Sequence, residues 1–301
     1  MTTRRQFLQT AVAAGAASAL APTAAPAIDA IQRTGKSQIR LSLAAYSYRR
    51  YLDLGRKEKP TMTLNDFVDA AATMPLDAVE LTAYYFAQTT NRYLCDLKGR
   101  CTRLGLDVSG CATRNDFCTP VAETLKKDIA HVKHWIEHTA RLGGKTLRIF
   151  AGRVAQGDKE ERARTRCIEA IQEVCDHAAD FGVYVALEPH GGITETIDLT
   201  LTLVKAVKHN WFGVNWDTGN FQSQDPYRDL AQLAPYAVVC QIKTEIRRAG
   251  AQKENADLKR LIQILRDANF RGYVALEHEA NEDPKEAVPR HLATLRKIIS
   301  G

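Results

Sequence analysis

The residues able to do chemistry in this chain stand at the ends of short apolar runs. Val183-Tyr184-Val185-Ala186-Leu187 leads into Glu188, followed by Pro189, His190, Gly191 and Gly192. Trp211-Phe212-Gly213-Val214-Asn215-Trp216 leads into Asp217. Val238-Val239-Cys240 leads into Gln241 and Lys243, and Tyr273-Val274-Ala275-Leu276 into Glu277 and Glu279. Strand alternation puts Ala186 with Glu188, Asn215 with Asp217, Gln241 with Lys243, and Ala275 with Glu277 on shared faces. A carboxylate closing a buried strand is costly unless something pairs with it. Three acids converging on one site repel strongly where the dielectric is low. Two arrangements relieve that repulsion. One is a divalent cation held through oxygen by Glu188, Asp217, Gln241 and Glu277, Mn²⁺ first, with Mg²⁺ or Co²⁺ as alternatives. The other is a rim network of ion pairs with Arg148, Arg49 and Lys243.

Elements must bring these strand ends together. Strands are expected over 39–46, 76–81, 106–111, 146–150, 183–188, 211–217, 237–243 and 272–277. Helical patterns separate and follow them over 63–73, 90–104, 120–142, 159–181, 194–208, 227–233, 254–268 and 285–299. Thr63 is placed as an N-cap and Gly143-Gly144 as a helix stop. Regular β–α alternation predicts a parallel sheet, and eight units predict an α/β (β/α)₈ TIM barrel over residues 39–301. A doubly wound open sheet would want a glycine-rich loop after its first strand, and Tyr46-Ser47-Tyr48-Arg49 is not one. In a barrel the strand C-termini form one mouth, so the acids above would share it.

The remaining sequence narrows the class. The 301 residues are 45% hydrophobic and 25% charged, with a net charge of +6 that includes Arg4 and Arg5. Lys and Arg are spread along the chain, which suits a solvated surface and predicts no nucleic-acid partner. Thr3-Arg4-Arg5-Gln6-Phe7-Leu8, the apolar run from Thr10 to Ala21 and Ala25-Pro26-Ala27 read as a twin-arginine signal over residues 1–27, with a linker over 28–38. Export by that route predicts a periplasmic or otherwise extracytoplasmic location, with no membrane attachment once the signal is removed. Seven cysteines without any Cys-x-x-Cys argue against a zinc ribbon or thioredoxin-type site. Cys111 and Cys240 read as buried small hydrophobes. His131, His134 and His138 read as a solvated helix face, with Trp135 and Ile136 packing. A homo-oligomer stays open.

With those residues in place, the chain resembles the xylose isomerase-like TIM barrel superfamily, in its sugar phosphate isomerase/epimerase branch. The resemblance spans residues 39–299. It is carried by Ala186-Leu187-Glu188-Pro189-His190-Gly191-Gly192, Asn215-Trp216-Asp217-Thr218-Gly219-Asn220 and Val274-Ala275-Leu276-Glu277. It implies one divalent metal bound by Glu, Asp, His and Glu on strands five to eight. Glu188, Asp217 and Glu277 match, and Gln241 stands where the family has histidine. It also implies a sugar substrate that loses the proton α to its carbonyl through a metal-stabilised enediolate. Glu188 and Glu277 would move that proton, and Lys243 would stabilise developing negative charge. His190 and Asn220 would bond hydroxyls, while Tyr46, Tyr84, Arg114 and Phe150 either wall the pocket or, for Tyr46 and Phe150, plug the barrel. The alternatives are a keto-sugar or keto-glycoside lyase on the same site and a non-catalytic sugar-binding barrel. A multi-zinc phosphodiesterase of the superfamily would need a crowd of histidines that these strand ends lack.

Overall fold

The computed structural model describes residues 29–55 and 60–301. The proposed signal, residues 1–27, lies outside them. Eight strands close into a barrel: β1 Gln38–Ala44, β2 Ala78–Thr82, β3 Asp107–Ala112, β4 Thr146–Phe150, β5 Tyr184–Glu188, β6 Phe212–Asp217, β7 Ala237–Ile242 and β8 Arg271–Leu276. Each pairs in parallel with the next, and β8 closes on β1 with Leu41 opposite Val274. Eight helices follow the strands outside: α1 Leu64–Ala72, α2 Asn91–Arg103, α3 Ala122–Leu142, α4 Glu160–Phe181, α5 Ile197–Ala206, α6 Pro226–Leu233, α7 Leu258–Asp267 and α8 Pro284–Ser300. This is the expected TIM barrel.

Local chemistry explains the element ends. Thr63 caps α1 in a capping box, its hydroxyl accepting from Asp66 N while Asp66 accepts from Thr63 N. Gly143, at φ +84°, ends α3 in the left-handed conformation that only glycine takes without strain. The strands alternate two jobs. Outward residues such as Leu147, Ile149, Val185, Leu187 and Val214 are buried under the helices. Inward residues are small along much of the barrel, and Ser42 Oγ meets Ser109 Oγ at 2.9 Å across its interior. A Cβ added to Gly110 would strike Thr146, and one on Gly213 would meet Val238 at 2.5 Å, so the packing there requires glycine.

Three features depart from the expectations. A two-stranded hairpin, Glu245–Arg247 with Lys253–Asn255, precedes α7, which starts at Leu258 rather than at Glu254. Asp257 sets that start, its side chain accepting from Arg260 N. Short helical turns over Ala45–Leu52 and Ala83–Tyr85 stand over β1 and β2. The helix-face assignment of the three histidines is corrected for His138. It is buried and packs on Trp135, with ring centroids 5.3 Å apart. Burial pushes its pKa down to about 4. Trp135 and Ile136 do pack, and Cys111 and Cys240 are buried.

Candidate active site

The β5–β8 strand ends meet at one mouth, as the alternation requires. Glu188, Asp217, Gln241, Lys243 and Glu277 are all buried there. Two cations divide the acids. Arg148, on β4, places Nε 2.9 Å from Glu188 Oε2 and donates through Nη1 to the Thr113 carbonyl. Lys243 Nζ lies 3.3 Å from Asp217 Oδ2, 3.2 Å from Glu277 Oε2 and 3.2 Å from Glu279 Oε1. The rim network is therefore realised by Arg148 and Lys243. Arg49 takes no acid of this group: it donates to the backbone carbonyls of His278 and Glu279.

Gln241 is the hub of a second chain, in which amide side chains link two of the acids. Its Nε2 donates to Glu80 Oε1 at 2.6 Å, and its Oε1 accepts from Asn215 Nδ2 at 2.5 Å. Asn215 Nδ2 also lies 3.4 Å from Glu188 Oε2, and Asn220 Nδ2 donates to Glu188 Oε1 at 2.8 Å. Asn220 thus orients a carboxylate in addition to any role toward substrate. Glu80, on β2, escaped the sequence reading. The signal was available: it shares a face with the buried Ala78 inside an apolar run, where an acid is costly without a partner. Register shifts fall between Val79 and Glu80 and between Val214 and Asn215, the two residues that hold Gln241. Such irregularities re-aim side chains beside functional sites.

Burial governs the electrostatics. It pushes Glu80 up to about 8, with Glu277 adding repulsion. It pushes Asp217 up to about 7 against the pull of Lys243. Glu188 and Glu277 also stand above the usual carboxylate range, burial first, with Arg148 and Lys243 respectively opposing it. For Lys243, burial works against the charge and the surrounding carboxylates outweigh it, so the ammonium is held well above its ordinary range. One ammonium shared by three carboxylates cannot satisfy them all, which is why raised acids and a raised lysine coexist.

The donor types of Glu188, Asp217 and Glu277 fit a hard divalent ion. Asp217 Oδ2 has no hydrogen-bond partner among the described residues, only Lys243 as counter-charge. Gln241 fits less closely, because both ends of its amide are engaged. Among the described residues no three His, Cys, Asp or Glu side chains stand as a ready-made metal cluster. Arg148 and Lys243 are the counter-charges of these acids.

The other anticipated residues gather over the mouth. Tyr46, Tyr84, Arg114, Phe150 and His190 line a cavity of about 1110 Å³. His190 packs on Phe150 with ring centroids 4.7 Å apart, and burial lowers its pKa. Tyr46 and Phe150 wall this cavity. His278 points elsewhere, stacking on His291 at 5.8 Å.

A TIM barrel with buried acids at the ends of β5, β6 and β8 is the class these features define. Residues 68–298 match the xylose isomerase-like TIM barrel family, and the chain belongs to it. A curated relative, 3-dehydroshikimate dehydratase of Bacillus anthracis, is 24% identical over 216 residues, covering 66% of this chain and 69% of that protein. A xylose isomerase-like TIM barrel protein from Mycobacterium smegmatis, solved in complex with magnesium, superposes with a TM-score of 0.67 at 16% identity, over 89% of this chain and 97% of its own. The 3-keto-D-glucoside 4-epimerase of E. coli superposes with a TM-score of 0.66 at 17% identity, over 87% of this chain and all (100%) of its own.

Proposed function

We propose that this chain is a sugar isomerase or epimerase that removes the proton α to a carbonyl. The observation that carries the proposal is the pair Glu188 and Glu277. They are buried carboxylates at the ends of different strands of one mouth, each raised above its usual range, Glu188 paired with Arg148 and Glu277 with the shared Lys243. A raised carboxylate is a stronger base once ionised, which suits proton transfer near neutral pH. Arg148 and Asn220 fix Glu188 from two sides, so its lone pairs keep one direction. Loss of the α-proton places negative charge on the carbonyl oxygen. The Lys243 ammonium and the Arg148 guanidinium are pre-positioned to stabilise it. With one carboxylate taking the proton and the other returning it on the opposite face, the outcome is epimerisation. With one carboxylate carrying it to the neighbouring carbon, the outcome is isomerisation.

We further propose Mn²⁺ as the cofactor, with Mg²⁺ or Co²⁺ able to replace it. Glu188, Asp217 and Glu277 would hold it, with Gln241 in the fourth place. When bound, it would supply Lewis-acid polarisation of the carbonyl. The magnesium complex of the Mycobacterium smegmatis protein supports a divalent ion in this fold.

A second reaction is favoured by the relative that is a dehydratase. The same α-proton loss, followed by departure of a β-oxygen substituent that takes up a proton from the second carboxyl, would make the site a keto-sugar or keto-glycoside lyase. Incubation with keto-sugars and Mn²⁺ in D₂O separates the cases. Deuterium at the α-carbon of recovered sugar supports the isomerase or epimerase, and a released alcohol supports the lyase. Sugar binding that survives EDTA, with neither deuterium nor alcohol, would leave a binding protein and sink both reactions.

A further inference from the structure

The acids and Lys243 occupy the β5–β8 side of the mouth. Over β2 to β4 the loops enclose the cavity of about 1110 Å³, and one of about 620 Å³ adjoins it, with Arg153 and His190 lining both. Together they exceed the roughly 300–1,000 Å³ typical of sites for drug-sized ligands. A single sugar ring held at the acids leaves most of this space unfilled. Its lining includes the aromatic side chains of Tyr84, Tyr85, Trp135 and Phe150.

The charges in the larger cavity are unevenly answered. Asp53 accepts from Gly55 N at 2.9 Å, Asp116 from Cys118 N at 2.9 Å, and Asp128 from Asp116 N at 2.7 Å. Lys127 lies 3.8 Å from Glu123, and Arg49 is spent on backbone carbonyls. Arg114 and Arg153 make no ion pair or hydrogen bond among the described residues, and both are exposed to the cavity. The Arg114 guanidinium lies 5.6 Å from the Tyr84 ring centroid. Arg153 lies across Gly191 and Gly192: a Cβ at Gly191 would come within 3.1 Å of its Nη2. Both glycines have positive φ, at +68° and +58°, so the turn that seats Arg153 cannot readily carry side chains.

We propose that this cavity is a second subsite, built for a ring unit bearing a carboxylate. The substrate is then a glycoside whose first ring is the enolised sugar, an inference that rests on the proposed enolisation for that ring. Aromatic walls take the faces of the second ring, and Arg114 and Arg153 take its carboxylate through charge-assisted bonds.

Calorimetry on the full chain with three probes tests this. They are 4-carboxyphenyl β-D-glucopyranoside, its isosteric carboxamide and methyl β-D-glucopyranoside. The carboxylate should bind about tenfold more tightly than the amide, as expected for a hydrogen bond to a charged group. Added salt should shrink that advantage. An Arg114→Gln/Arg153→Gln double variant should abolish it while the amide still binds more tightly than the methyl glycoside. Equal binding of carboxylate and amide, an advantage that persists in the double variant, or no binding of the carboxylate overturns the subsite. The D₂O experiment on free keto-sugars reads the first ring alone. Exchange without any carboxylate preference removes the subsite and keeps the enolisation. Carboxylate preference without exchange keeps the subsite and removes the enolisation.

Discussion

On one side of the barrel mouth, Glu188, Asp217, Glu277 and Glu279 crowd around Lys243 and Arg148. On the other, Arg114 and Arg153 face open volume, and the nearby aspartates already accept backbone N–H groups. The acidic side is buried, so each charge there depends on its neighbours and protonation states are adjustable. The arginine side is exposed, so its guanidinium groups are available to a visitor. Buried groups that share counter-charges suit proton transfer, and exposed cations beside aromatic faces suit recognition.

Substitutions can break that contrast, beginning with the largest effect. If the acidic side carries the reaction, Glu188→Gln should lower α-deuterium exchange by about 10³-fold, within the range for loss of a general base. The assay is the same D₂O incubation, and exchange within tenfold of wild type would move the base elsewhere. Lys243→Met removes the ammonium shared by three carboxylates. Without divalent ions it should destabilise the fold by about 3 kcal/mol, the scale for breaking a buried pair, as read by denaturant titration. Mn²⁺ should recover much of that loss, since the freed carboxylates then need another cation. Stability unchanged by both the substitution and Mn²⁺ would show that Lys243 does not hold the acids.

Glu80 sharpens the contrast through pH. Its folded pKa is raised from the ordinary 4.5 to about 8, so the folded state holds a proton that the unfolded chain has already released. The stabilisation is complete below about 4.5 and is lost as pH rises through about 8. Glu80→Gln keeps an acceptor for Gln241 and cannot ionise. Its melting temperature should exceed that of wild type by about 5 °C near pH 9 and converge with it near pH 5. Parallel melting curves across that range would place the ionisation elsewhere. The smallest effect belongs to Gln241→His. Imidazole is a better ligand than a carboxamide for a borderline ion, and Mn²⁺ affinity by calorimetry should rise about tenfold. Unchanged affinity would remove Gln241 from the ligand set.

Much of this molecule was legible in one dimension. The period-2 runs ending in Glu188, Asp217 and Glu277, and the helical runs between them, depend on neighbours in sequence, and the strand bounds agree to within a few residues. The helix starting near Leu258 was misplaced because the hairpin before it is held by Ile246 packing into the core, a contact that sequence spacing does not show. Glu80 was missed because it completes its site only through Gln241, 161 positions away. His138 was misjudged because its burial depends on where α3 lies against its neighbours, not on its own helical face.

The sequence by itself determined that four strand ends would present oxygen-bearing side chains and a lysine toward one mouth, since alternation and β–α order are local consequences of residue type. Only the tertiary structure decided how those groups are partnered. Arg148 comes from β4 and Glu80 from β2, and Glu80 and Asn215, each beside a register shift, meet at Gln241. Coulomb and hydrogen-bond energies depend on distances of a few ångströms between segments far apart in sequence, and barrel closure sets those distances.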